Sequence, residues 1–118
     1  MNVGIIGAGT IGEKHAAAAK KAGAHVRWVV DVDRERAERL ALVCEAQPAQ
    51  SAAELWSDPA VAAVIVGTPN RWHEELAIQS LQAGKDVFLE KPMALSAAQC
   101  RSINAAARAN GRVLQIGF

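Results

Sequence analysis

Cysteine is scarce in this 118-residue chain, and the two present belong to no framework. Cys44 and Cys100 lie far apart, without a C-x-x-C pair or a histidine at ligand spacing, so neither a disulfide scaffold nor a metal site is indicated. Each falls at helical spacing with small or apolar neighbours: Ala37, Leu40 and Ala41 for Cys44, Ile103 and Ala107 for Cys100. Both read as small buried residues with free thiols. Long hydrophobic runs are missing too, with nothing near the roughly 20 residues that a bilayer span needs. Gly4, Gly7 and Gly9 interrupt the start, which also lacks the basic residues of a secretory leader. A cytoplasmic location is expected. Neither charge is in excess: 13 Lys and Arg face 12 Asp and Glu, a net charge of +1. That balance gives no electrostatic case for nucleic acid or an anionic membrane as partner. Aromatic residues make up only 4%. Alanine is plentiful instead, which suits slim helices packed closely on a sheet.

What is there alternates between strand and helix. Asn2 to Ile6 predicts a strand, Thr10 to about Ala22 a helix closed by Gly23, and His25 to Asp31 a second strand. Asp33 caps a helix running to about Cys44, Gln47 to Gln50 suits a very short edge strand, and Ser51 with Glu54 forms a capping box. Ala62 to Val66 is a buried strand before the turn Gly67-Thr68-Pro69-Asn70. A helix from about Trp72 to Ala83 ends at Gly84, and Asp86 to Leu89 is the fifth strand. Ser96 with Gln99 is a second capping box, for a helix ending near Asn110-Gly111, and Val113 to Gly117 is the last strand. The fold class is therefore α/β, a doubly wound, six-stranded parallel sheet in the order 3-2-1-4-5-6. Residues 1–118 form one domain of this kind, without a linker, repeat or second domain.

The first strand breaks into Gly7-Ala8-Gly9-Thr10-Ile11-Gly12. Gly7 permits a tight turn, Gly9 lets the backbone approach a pyrophosphate, and Gly12 lets the helix pack against the strand. The helix opening near Thr10 and Ile11 points its free N–H groups at the phosphates. A G-x-G-x-x-G string is weak evidence alone. Here it follows a strand, opens a helix, and is followed about 20 residues later by Asp31, the spacing of a carboxylate that accepts from the adenosine ribose. Asp31 repels a 2′-phosphate, which favours NAD over NADP. Asp33 competes for the same role and also reads as a helix cap. Arg34 stands where a cation could neutralise a 2′-phosphate, and equally reads as an exposed charge on a first helical turn.

Two further loops fall at the carboxyl ends of strands, where a doubly wound sheet places its ligand crevice. In the first, Thr68 and Asn70 are candidates to contact a cofactor, and Trp72 and His73 to line its edge; Asn70 also reads as a cap of the following helix. In the second, Glu90-Lys91-Pro92 puts an acid and an amine beside the same crevice. A partly desolvated Lys91 there would suit acid/base work. The plain alternative is an exposed lysine paired with its neighbour. His15, His25 and His73 have no ligand spacing, so no metal is expected.

In order along the chain, Gly7-Ala8-Gly9-Thr10-Ile11-Gly12 with His15, Asp31, Thr68-Pro69-Asn70 with His73, Gly84-Lys85-Asp86-Val87, Glu90-Lys91-Pro92 and Gly117-Phe118 resemble one family. It is the Gfo/Idh/MocA oxidoreductases, typified by glucose–fructose oxidoreductase and inositol dehydrogenase. The resemblance implies a Rossmann domain in which Gly7 to Gly12 and Asp31 bind NAD, while Thr68, Pro69, Asn70 and His73 lie along it. It also implies that Glu90 approaches the nicotinamide ribose and that Lys91 is the catalytic lysine. Members continue into a carboxyl-terminal sheet domain with most of the substrate pocket, which this sequence does not include.

The expectation is thus the NAD(P)-binding domain of an oxidoreductase acting on a sugar- or polyol-type substrate, binding cofactor with little or no turnover alone. The alternatives are a stand-alone, non-catalytic nucleotide-binding or assembly module and, disfavoured by Glu90-Lys91-Pro92, a flavin or S-adenosylmethionine site. The uncharged stretch from Val113 to Phe118 reads as an outer strand that invites pairing with a second copy, so a homodimer is expected.

Overall fold

The structure, a computed structural model, describes residues 1–117. Six strands form one parallel sheet: β1 (Asn2–Ile6), β2 (His25–Val30), β3 (Gln47–Pro48), β4 (Val61–Val66), β5 (Asp86–Leu89) and β6 (Leu114–Ile116). Their order is β3-β2-β1-β4-β5-β6, as the alternating pattern predicts. Helices α1 (Thr10–Lys21), α2 (Arg34–Cys44), α3 (Ala52–Ser57), α4 (His73–Gln82) and α5 (Ala97–Ala109) make the crossovers, with a single 3-10 turn at Asn70–Trp72 before α4.

Parallel strands covered on both faces must be apolar on both, and these are. Val3, Ile5, Val26 and Val29 point one way, into a layer closed by Ala16 of α1 and Ala37, Leu40 and Ala41 of α2. Ile6, Val30, Val64, Val66, Val87 and Leu89 point the other way, toward Leu55, Ala77, Leu81 and Ile103 of α3, α4 and α5. The first layer is built largely on alanine, which brings α1 and α2 close to the sheet. Gly4 has its own reason in the second layer, because a Cβ there would run into the Leu55 side chain. Truncating the fully buried Leu55 to alanine would cost about 2–5 kcal/mol.

The structure corrects several local expectations. β3 is two residues long rather than four, since Pro48 has no N–H to extend a ladder. β4 starts one residue earlier, at Val61. β6 has three residues, and Phe118 lies outside the described residues. Asp33 caps α2 as expected, accepting from the N–H groups of Glu35 and Arg36. Ser96 accepts from Gln99 N at 3.2 Å, but Gln99 Oε1 reaches one residue beyond the cap to Leu95 N, at 2.9 Å. Ser51 makes no side-chain cap, and the Glu54 carboxylate alone serves that corner by accepting from Gln50 N at 3.0 Å. Both cysteines are free and half-buried rather than buried. Burial still pushes the Cys44 thiol pKa up, partly offset by the nearby Lys20 ammonium. No helix among the described residues is long and apolar enough to cross a membrane.

Candidate dinucleotide site

The glycine loop leaves β1 at Ile6 and turns back under α1. Gly7 has φ 109° and donates its N–H to Val30 O at 2.8 Å. A Cβ at Gly7 would stand 2.6 Å from the carbonyl oxygen of Gly67, so the loop after β4 abuts this turn directly. Gly12 is needed for the same kind of reason, because a Cβ there would run into the Gly7 carbonyl. Those two glycines are required by the fold.

Gly9 is different. Its backbone, φ −78° and ψ −163°, is one that any residue adopts. A Cβ there would meet only Arg36 Nη1, at an ordinary 3.6 Å. The protein alone gives no reason for a glycine; a ligand backing onto the chain does. Gly9 is also the N-cap of α1 and supplies no side-chain cap, leaving the first-turn N–H groups open to an anion at the positive end of the helix. These residues fit a pyrophosphate.

Asp31 is half-buried at the end of β2 and held at both oxygens. Oδ2 accepts from Ala8 N at 2.7 Å and Oδ1 from Asp33 N at 2.8 Å. The carboxylate is fixed beside the loop and keeps lone pairs for further donors, such as ribose hydroxyls. Asp33, its competitor in the sequence, is committed to the α2 cap and to Arg36, whose Nε lies 3.3 Å from Asp33 Oδ2. Arg34 points elsewhere, in an exposed pair with Glu38 at 3.0 Å. The cation at the glycine loop is Arg36, which the sequence reading passed over.

Across the crevice, Gly67 N donates to Ile6 O at 2.8 Å. Thr68 Oγ1 is buried and has no hydrogen-bond partner. An orphaned hydroxyl beside the glycine turn is costly unless something else pairs with it. Pro69 is exposed and Asn70 half-buried, and Asn70 does not cap the next helix, because the 3-10 turn intervenes. His73 departs furthest from expectation. Its ring is fully buried and lines no edge. Nε2 sits 2.9 Å from Thr68 O and Nδ1 2.9 Å from Pro92 O, so one imidazole lies between the loops after β4 and β5, donating to one of the two carbonyls in either neutral tautomer and to both only as the imidazolium. The exposed ring at that edge is Trp72, with the Arg71 guanidinium 5.4 Å from its centroid.

Glu90 follows β5, its N–H held by Val66 O at 3.0 Å. Its carboxylate does not pair with Lys91. Glu90 Oε2 meets His15 Nε2 at 2.6 Å, and the His15 ring also packs edge-on against Phe88, centroids 5.1 Å apart. This contact ties α1, one turn past the glycine loop, to the strand end that carries Glu90-Lys91-Pro92. A separation of 75 residues hid it from local pattern reading. Lys91 is exposed and makes no ion pair among the described residues, so of the two sequence readings it is the exposed one, though not paired with Glu90. No group of three or more His, Cys, Asp or Glu side chains among the described residues could hold a metal ion.

A doubly wound parallel sheet with this loop at its first strand end is a dinucleotide-binding Rossmann domain. The chain belongs to the Gfo/Idh/MocA oxidoreductases: the family described as "Oxidoreductase family, NAD-binding Rossmann fold" matches residues 1–118. An inositol 2-dehydrogenase of Pseudomonas fluorescens is 37% identical over 123 residues, covering 100% of this chain and 37% of the relative. The crystal structure of GenD2 from gentamicin A biosynthesis, in complex with NAD, is 36% identical with a TM-score of 0.96, over 99% of this chain and 34% of that one. Biliverdin reductase from Synechocystis sp. PCC 6803, in complex with biliverdin and NADP+, is 29% identical with a TM-score of 0.90, over 98% and 37%. The chain thus spans little more than a third of the length of these proteins.

Proposed function

We propose that this domain holds the nicotinamide dinucleotide of an oxidoreductase acting on a hydroxyl-bearing carbon of a sugar- or polyol-type substrate. The observation that carries the reading is Gly9, a glycine that neither backbone strain nor packing explains. In this reading the α1 amino terminus and the Gly9 backbone hold the pyrophosphate, and Asp31 accepts from the adenosine ribose hydroxyls, favouring NAD over NADP. Thr68 Oγ1 gains its missing partner from the ligand, and Pro69 and Asn70 form the adjoining wall. His73 acts at one remove, by fixing the backbone of both loops. Glu90, restrained by His15, approaches the nicotinamide ribose.

A bound nicotinamide would supply hydride transfer to or from the substrate carbon. Lys91 assists the hydroxyl proton from its ammonium or amine. The relatives' names, inositol 2-dehydrogenase among them, support a polyhydroxylated substrate. The exposure of Lys91 supports a second reading, in which the domain by itself binds cofactor without turning over. Titrating the purified chain with NAD and NADH, then assaying sugars and polyols, tests both. Saturable dinucleotide binding with negligible turnover is expected. Absence of any dinucleotide binding would sink the proposal.

A further inference from the structure

Between α1 and α2, on the outer side of the first layer, runs a groove of about 800 Å3 that reaches the amino end of β2. Its floor is apolar, with Ala16, Val26 and Leu40 buried. Its α2 lip is apolar and bare, with Leu42 82% and Val43 78% exposed in the last turn of the helix. Four charged side chains border it. Glu13 of α1 and Arg39 of α2 mark the end nearer the glycine loop, which both also flank. Lys20 of α1 and Glu45, just past α2, mark the far end. None of the four makes an ion pair among the described residues. Each helix thus brings one acid and one base, placed at opposite ends, and the four charges sum to zero. Glu45 costs the isolated fold something. It closes α2 with φ 57°, the left-handed conformation that favours glycine, and its carboxylate stands at the negative end of the helix. No ion pair within the described residues offsets either cost.

We infer that this groove is an interface between two copies of the chain, related by a two-fold axis. Such a contact sets one patch against itself, so the patch must complement its own charges. This one does. Turned end for end, Glu13 faces the partner's Lys20 and Arg39 faces the partner's Glu45. Leu42 and Val43 lie between the α2 charges, which gives the contact an apolar centre inside a polar rim. The chain's net charge of +1 adds little repulsion between copies at longer range. A strongly acidic or basic partner finds no matching field in a patch that sums to zero. The contact is separate from the β6 edge and does not depend on the dinucleotide reading.

Sedimentation velocity on the purified chain, from about 5 to about 500 μM, tests this, with a monomer–dimer equilibrium in the micromolar range expected. Leu42→Lys and Val43→Lys place cations at exposed positions in a last helical turn, where they suit the dipole and circular dichroism should show an intact fold. Each should raise the dimer dissociation constant by about 100-fold, because the axis repeats every change. Glu45→Gly should weaken the dimer by about three- to tenfold while raising the urea midpoint of the dilute monomer. A residue that served only its own fold would not give that combination. Val113→Lys, beside β6, should move the equilibrium by less than about twofold. A chain that is monomeric at every concentration would overturn the proposal. So would a dimer that Val113→Lys dissolves, or one that neither Leu42→Lys nor Val43→Lys weakens.

Discussion

The two ends of the sheet differ in how many polar groups they leave without a protein partner. At the amino ends of the strands, Asp58 and Lys85 are fully paired. Asp58 accepts from the Arg27 guanidinium and, at 2.7 Å, from Trp28 Nε1, and its other oxygen accepts from Ala60 N at 2.9 Å. Lys85 is buried, with Nζ donating to Asp58 O at 2.7 Å and Val61 O at 2.8 Å. At the carboxyl ends, Asp31 and Glu90 are held too, but among the described residues the N–H groups of the first turn of α1, Thr68 Oγ1, Lys91 and one edge of Arg36 lack protein partners. The first end stabilises the fold and the second holds groups open for a ligand. Substitutions at the two ends should therefore change different measurements.

The largest separation is expected at Gly9. Gly9→Val should reduce dinucleotide affinity by about 100-fold or more, because its side chain occupies the space of the pyrophosphate. Its unfolding midpoint in urea should stay near that of the unaltered chain, since a Cβ meets only a movable arginine. Retained binding in the folded variant would remove this loop as the phosphate site.

Lys85→Met inverts the pattern. It leaves the Asp58 and Val61 carbonyls without their charged donor, at an expected loss of about 2–3 kcal/mol in stability by urea unfolding and none in NAD affinity. The burial that lowers the pKa of Lys85 also means that nothing from solvent readily replaces its ammonium. Thr68→Val gives a smaller effect on the open side. Affinity should fall by about three- to tenfold while stability holds or rises, because a methyl suits the buried spot better than an unpaired hydroxyl. Unchanged affinity would mean that the hydroxyl is not the ligand's partner.

Acid provides a finer probe of the paired end. The Arg27 and Trp28 donors lower the Asp58 carboxyl from 3.8 to about 2. A carboxylate whose folded pKa is depressed contributes stability above its unfolded value and loses it as pH falls through the folded one. Part of the loss of stability between about pH 4 and about pH 2 should thus vanish in Asp58→Asn. An identical acid limb in both proteins would refute the assignment. The smallest effect concerns β6, the outer strand, with Val113 exposed beside it. Weak self-association is expected by light scattering, and a monomer of 12.5 kDa at all concentrations would count against it.

The strand order was legible because each strand is a short apolar run separated from the next by a helical stretch, with glycine stops after α1, α4 and α5 and side-chain caps on α2 and α5. The glycine loop and Asp31 were legible as a spacing. What stayed hidden depends on which face a helix turns inward. Arg34 and Arg36 are two residues apart, so they leave α2 in different directions. The readable clue was Leu40, which packs against α1 3.8 Å from where a Gly12 Cβ would stand. Arg36, one turn earlier on that side, reaches Gly9. His73 misled for a related reason: its ring turns inward from the first turn of α4 and is enclosed between the Thr68 and Pro92 carbonyls.

That shared ring has a consequence for motion. Because a single buried ring lies against both Thr68 O and Pro92 O, movement of either loop uncovers the ring that packs against the other. The two segments should open together, as one cooperative fluctuation. Their amide protons would then exchange with solvent at rates governed by a shared opening equilibrium, and His73→Ala would split that equilibrium into two.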